Sequence, residues 1–257
     1  MIHQLKAYFH FLLRSTNAHG LHSPFVFDLA TKCFYDKKKY PEYSLLKQFR
    51  RRLLDNHNII KVTDFGAGSR VFRSDGRKIS AIAKTAGISE KRAELLFRIC
   101  RNFSPHEILE LGTSVGLATS ALALGNPNGK IFTMEGCPET AATAEKQFAL
   151  SGLLNINTIV GSFEEGFRKV DGRKFGLVYF DGNHRKEATL DYFERLLPTI
   201  TDSTVWIFDD IHLSAEMEAA WQHIVRNPKV TVTIDTFQWG LVFFHKGQMK
   251  EDFVVRA

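Results

Sequence analysis

From Glu107 onward, short runs of β-branched and apolar residues alternate with segments whose apolar positions recur at helical spacing. EILEL (107–111), KIFTME (130–135), NINTIV (155–160), FGLVYFD (175–181) and STVWIFDD (203–210) are the strand-like runs. The helical patterns that follow them are VGLATSALALG, PETAATAEKQFALSG, SFEEGFRKV, KEATLDYFERLLP and SAEMEAAWQHIV. Five strand–helix repeats in order predict an α/β fold, a mostly parallel sheet with helices on both faces. VTVTID and GLVFFHK, at the end, are separated by only a few residues around Gln238. That gap is too short for a crossover, so the two are expected to pair antiparallel, giving seven strands in all.

The first hundred residues follow a different pattern. Apolar positions at helical spacing predict helices over 2–14, 25–35, 43–55, 78–86 and 90–102, the last with Ser89 as its N-cap. KVTDFGAGSRVFRSDGRK (61–78) interrupts them as a Gly- and Arg-rich loop, and a long loop inside a helical region is more often functional than accidental. A boundary near Ser104–Pro105 therefore divides a mainly helical cap or substrate region, 1–104, from an α/β body, 105–257.

Composition narrows the class. With 44% apolar and 24% charged residues, the 257-residue chain suits a globular protein with a sizeable core and excludes wholesale disorder. The net charge of +6 conceals a division: residues 1–104 carry +12 and residues 105–257 carry −6. Either the basic part meets an anion or it docks on the acidic part. Three widely spaced cysteines suggest neither a disulfide framework nor a zinc cluster. No apolar stretch approaches the roughly 18–20 residues of a membrane span, and MIHQLKAYFHFLLR reads as an amphipathic helix. The expectation is a cytoplasmic protein with no membrane partner.

The chemistry gathers at the ends of the strand-like runs. ELGTSVG places Glu110, Gly112 and Gly116 between a strand and a helix, where glycines allow a tight turn and close approach to a ligand. The next strand ends in Glu135, and a carboxylate at that tip is a standard holder of both ribose hydroxyls. Asp181-Gly182-Asn183-His184 closes the fourth strand and Asp209-Asp210-Ile211-His212 the fifth. Ligands of open parallel sheets bind beyond the strands' carboxyl ends, so these acids and imidazoles are expected to converge there. Paired acids on neighbouring strands suit a hard divalent cation such as Mg²⁺. Alternatively, Asp181 faces only the cofactor and Asp209 caps the next helix.

On these motifs, residues 105–246 resemble a class I S-adenosylmethionine-dependent methyltransferase, whose Rossmann-like sheet ends in an antiparallel hairpin. A nicotinamide-binding domain would show G-x-G-x-x-G in the first turn, but Thr113 and Ser114 stand where its second glycine belongs. The resemblance implies that Gly112, Thr113, Ser114 and Gly116 line the methionine and ribose end of S-adenosylmethionine. It gives Glu135, with Gly136 beside it, the ribose hydroxyls, and places adenine at Gly161-Ser162-Phe163. Asp181, Asp209 and Asp210 are similar to the metal set of O-methyltransferases of the catechol and sugar-antibiotic types. His184 stands where the catechol type carries a lysine base, and His212 is an equally available imidazole.

No Asn/Asp-Pro-Pro-aromatic sequence follows the fourth strand, which favours oxygen over a planar amino group as acceptor. The expected partner is therefore a small hydroxylated molecule, with a homodimer among the expected assemblies. Lys37–Lys39, Arg50–Arg52 and Arg70, Arg73 and Arg77 leave open an RNA-directed methyltransferase anchored through its N-terminal part, though solvated helix faces are the favoured reading. A non-catalytic cofactor-binding protein is the other alternative. DFGAGS (64–69) imitates the cofactor motif but lacks a following acidic strand, and is expected to be a glycine turn. HGLHSPFVFDL (19–29) is read either as a pocket cap or as packing.

Overall fold

The computed structural model describes residues 2–63 and 74–257. DFGAGS and the side chains of Arg70 and Arg73 lie outside the described residues. The chain divides into two compact units, one made of residues up to Asp36 with Arg173–Ala257, the other of Lys37–Gly172.

Every N-terminal helical pattern forms a helix. α1 (Ile2–Arg14) is followed by α2 (Pro24–Leu29), which Pro24 opens at a position where its missing N–H costs nothing. A π-helical turn over Ala30–Phe34 continues α2 and closes with Tyr35 N–H on the Ala30 carbonyl at 2.8 Å. α3 (Glu42–Leu54) buries Leu46, Phe49 and Leu53 along one face. β1 (Ile59–Lys61) and β2 (Gly76–Lys78) pair antiparallel. α4 (Ile79–Thr85) and α5 (Glu90–Phe103) follow. The expected cap of α5 is present, with the Ser89 hydroxyl accepting the Arg92 N–H at 3.4 Å.

The alternating part runs β3 (Glu107–Leu111), α6 (Leu117–Gly125), β4 (Lys130–Glu135), α7 (Pro138–Leu150), β5 (Ile156–Val160) and α8 (Phe163–Lys169). It continues with β6 (Leu177–Phe180), α9 (Lys186–Leu196), β7 (Val205–Asp209), α10 (Ala215–Arg226), β8 (Val232–Asp235), β9 (Trp239–Phe243) and β10 (Glu251–Val254). Eight of these strands, β3 to β10, make a mixed Rossmann-like sheet.

In the Lys37–Gly172 unit, β3, β4 and β5 are consecutive parallel neighbours, so Leu111, Glu135 and Val160 end at one edge. α6 is buried along its length except at Leu124, because α3 and α5 pack against it. That crowding accounts for its small residues. A Cβ on Gly125 would lie 2.7 Å from the Phe97 carbonyl oxygen. Three arginines of this unit are engaged within it. Arg52 donates to Gln147 Oε1 at 3.0 Å and to Ser151 Oγ, Arg50 to the Ile88 carbonyl, and Arg98 to Tyr43 Oη at 2.8 Å.

In the other unit β6 and β7 are parallel, and β9 pairs antiparallel with both β7 and β8, as the short Gln238 connection requires. β10 was not expected. It adds to the edge of β8 in parallel, and its EDFV sequence has too little alternation to announce a strand. The core here is aromatic: Phe180 and Phe208 stack at 4.1 Å, and Trp206 packs edge-on against Phe180 and Phe193. Gly240 of β9 lies under the Trp221 ring, 2.4 Å from where its Cβ would be. Gly240→Ala is therefore expected to lower stability by about 1–3 kcal/mol through overpacking, read as a lower denaturation midpoint at unchanged m.

Candidate active site

The turn after β3 is shaped by three left-handed residues, Gly112 (φ 104°), Ser114 (φ 48°) and Gly116 (φ 85°). Gly112 and Thr113 N–H both point to the Met134 carbonyl of β4, at 3.0 and 3.1 Å. Glu135 then reaches across from the tip of β4. Its Oε2 accepts the Ser114 N–H at 2.8 Å and its Oε1 the Cys137 N–H at 2.9 Å. A carboxylate oxygen can accept more than one hydrogen bond. Gly136, half-buried, sits between them.

Beneath the turn lies Glu110, fully buried. Its Oε2 accepts hydroxyl bonds from Thr119 (2.5 Å) and Thr133 (2.6 Å), and Thr113 meets Thr133 at 2.5 Å. Oε1 is buried with no hydrogen-bond partner among the described residues. Burial, partly offset by the two threonine hydroxyls, pushes the Glu110 carboxyl up to about 8. A donor brought to Oε1 would satisfy an atom whose desolvation is otherwise uncompensated. The residues thus fit a ligand with a cationic or N–H end.

Beyond β5, Gly161 (φ 135°) donates its N–H to the Glu135 carbonyl at 3.0 Å. Ser162 and Glu165 form a reciprocal capping box that starts α8 at Phe163. Ser162 thus has a structural task that the sequence reading assigned only to ligand binding. The Ser162 N–H and hydroxyl hold the exposed Glu165 carboxyl below its usual range.

The second group of sequence-predicted residues belongs to the other unit. Asp181 follows β6, with its Oδ1 3.5 Å from His184 Nε2, and both side chains are partly exposed. Between them Asn183 adopts a left-handed φ of 55° and donates to Tyr192 Oη at 3.2 Å. Asp209 ends β7 buried, its Oδ1 taking the Asp210 N–H at 2.9 Å, while Asp210 turns the backbone at φ 54°. His212 is buried as well. Its Nε2 is 2.9 Å from Asp235 Oδ2 and its ring stacks on Phe237 at 5.3 Å. The expected gathering of Asp181, Asp209 and Asp210 around a cation is not what this arrangement provides. Among the described residues, no three His, Cys, Asp or Glu side chains are close enough together to hold a metal ion. Asp209 instead turns one carboxylate oxygen to the Asp210 N–H, and Asp210 sits on a left-handed bend.

Residues 109–211 match a family model described as a methyltransferase domain. Over that stretch the chain is similar to a methyltransferase domain. A 77-residue stretch is 39% identical to the transmembrane O-methyltransferase of Propithecus coquereli, covering 29% of this chain and 28% of that one. It is 38% identical to the Homo sapiens protein of the same name, of which it covers 26%. The chain thus aligns with under a third of the length of these relatives. Among solved structures, an SAH-bound methyltransferase of Podospora anserina gives a TM-score of 0.61 at 14% identity, over 88% of this chain and 97% of that one. The O-methyltransferase TomG of Streptomyces achromogenes, in complex with SAM, gives 0.57 at 18% identity, over 81% and 91%. At these identities the likeness concerns the fold.

Sequence reasoning missed three residues around these sites. Thr119 and Thr133 interrupt apolar runs on α6 and β4, which is the signal that a buried acid needs them. Asp235 ends β8 and fixes His212, a pairing across 23 residues that no local pattern announces.

Two results are expected from the turn. In Gly116→Ala the new Cβ would meet the Phe148 ring at 2.5 Å on a backbone of φ 85°, so cofactor binding measured by calorimetry should be lost and stability reduced. The folded state holds the Glu110 proton up to about pH 8, against a reference value of 4.5. Its stabilising contribution is thus complete below pH 4.5 and is lost as pH rises toward 8, by about 3–5 kcal/mol. Glu110→Gln should flatten this decline, seen as a denaturation midpoint that stays nearly constant between pH 5 and pH 8.5.

Proposed function

We propose that the chain transfers the methyl group of S-adenosylmethionine to a hydroxyl oxygen on a small acceptor. The observation that carries this reading is the turn after β3, tied by Glu135 to the tip of β4 above the unsatisfied Glu110 Oε1. Gly112, Thr113, Ser114 and Gly116 would line the methionine and ribose end, and Glu135 with Gly136 would take the ribose hydroxyls. Glu110 would accept from the cofactor's amino end through Oε1. Ser162 and Phe163 would border adenine. When bound, the cofactor supplies a methyl group activated by a sulfonium.

The oxygen acceptor is supported by Asp181-Gly182-Asn183-His184 after β6, in place of the tetrad that handles planar amino groups, and by relatives named O-methyltransferases. His184 would remove the acceptor's hydroxyl proton, with Asp181 orienting the ring and stabilising its protonated form. His212 is the poorer base, because a base must reach its proton and this ring is covered by Phe237 and fixed by Asp235. Mg²⁺ assistance through Asp181, Asp209 and Asp210 has no gathered donor set behind it, so no step is routed through a metal. The RNA-directed alternative gains nothing from Arg50 and Arg52, whose guanidinium groups bond within the fold.

Calorimetry with S-adenosylmethionine tests the cofactor half, and absence of binding would overturn the whole proposal. Glu135→Ala should weaken binding roughly 10–100-fold, the worth of one or two charge-assisted hydrogen bonds. His184→Ala should lower kcat by about 10²–10⁴ with cofactor affinity unchanged, and Asp181→Asn should lower kcat as well. Activity is expected to survive dialysis against EDTA. A chain that binds cofactor yet methylates no hydroxylated acceptor would be a binding protein instead.

A further inference from the structure

α1 is apolar on two sides. Inward, Ala7 and Phe11 are buried, and Tyr8 and Phe11 pack on Phe237 with ring centroids 4.9 and 5.5 Å away. The helix is held near both ends: His3 Nε2 lies 3.1 Å from Glu218 Oε2, and Thr16 bridges to Val255. Outward, Leu5, Phe9, Leu12 and Leu13 recur at i, i+4, i+7 and i+8 and so form a stripe on one face. Leu5 and Leu13 are each 69% exposed and Phe9 61%. Among the described residues twelve large apolar side chains are exposed, and five of them, Tyr8 included, belong to this one helix. Such concentration marks an interaction surface, whereas scattered apolar residues do not.

The charge beside the stripe indicates what covers it. Lys6, His10 and Arg14, all exposed, follow one border of the stripe four residues apart, and α1 contains no acidic residue. Arg256 adds a further exposed cation, its backbone N–H bonded to the Thr16 carbonyl at 3.0 Å. Pairing with α1 of a second copy would set like charges against each other with no acid on either helix to answer them. An anionic lipid surface answers both features, accepting leucine and phenylalanine at the acyl boundary and cations at the headgroups.

We infer that the outer face of α1 lies in the plane of an anionic bilayer surface. A helix of 13 residues is about 20 Å long, short of the roughly 30 Å hydrocarbon core, so it rests on the surface and does not cross it. The sequence expectation of no membrane partner rested on the lack of a spanning segment. Surface docking requires none. This inference does not depend on the proposed methyl transfer.

Cosedimentation of the full chain with phosphatidylcholine vesicles, with and without phosphatidylglycerol, tests it. Binding should be about tenfold or more tighter to the anionic vesicles and should weaken as salt is raised. The variant carrying Leu5→Gln, Phe9→Gln and Leu13→Gln changes only exposed positions and should lose about tenfold or more of that binding with its thermal midpoint unchanged. Lys6→Gln with Arg14→Gln should reduce the preference for anionic lipid, and this second variant serves if the first misfolds. Failure to bind anionic vesicles would overturn the inference, as would retained binding in the folded triple variant. A dimer seen by light scattering that the triple variant converts to monomer, without lipid binding, would assign the face to a second copy.

Discussion

The buried carboxyl of Glu110 organises the turn after β3. It lies on β3, takes one hydroxyl from β4 and one from α6, and so links three elements at the point where the chain leaves the sheet. Thr113, in the turn itself, joins the chain of hydroxyls through Thr133. A carboxyl in such a place is costly unless bonded, and the two threonines bond only one of its oxygens. The remaining oxygen leaves a demand for a donor built into the fold. Glu135 adds the second constraint by fixing the backbone of Ser114 from above. The turn therefore keeps its shape through protein contacts alone, and a ligand would meet a formed site.

Much of the fold was legible because its signals are local and periodic. The N-terminal helices follow their apolar spacing, and the β8–β9 hairpin follows from the shortness of its connection. β10 escaped because two of its four residues are acidic, and it is a strand only through pairing with β8. The extended conformation of such an edge segment is set by its partner, which the local sequence does not reveal.

The site was less legible. Consecutive acids at the end of a strand look like a cation site in sequence, yet successive side chains of a strand point to opposite faces. At Asp209–Asp210 the backbone also turns left-handed, and the first carboxylate is used by the N–H of the second. Ser162 illustrates the converse. Its spacing to Glu165 is a capping signature visible in the sequence, and its ligand role was read first because of where the strand ends. His184 and His212 differ by burial and partner, and both properties depend on residues far from the motif that contains them.

The basic balance of the first 104 residues takes on meaning only when followed to individual side chains. On α3, Arg50 and Arg52 point their guanidinium groups at a carbonyl, an amide and a hydroxyl of their own unit, so their charge serves packing. On α1, Lys6 and Arg14 are exposed beside an apolar face that the fold leaves uncovered. The two helices are equally long, yet Arg50 and Arg52 of α3 are engaged within their unit whereas Lys6 and Arg14 of α1 are presented. Net charge cannot distinguish these cases, because it records neither the partner of a cation nor the surface beside it. An uncovered apolar stripe bordered by cations gives the two α1 charges a more specific meaning than attraction to anions in general. It requires a partner that is apolar and negative over the same few ångströms, which a dissolved nucleic acid does not offer and an anionic bilayer surface does.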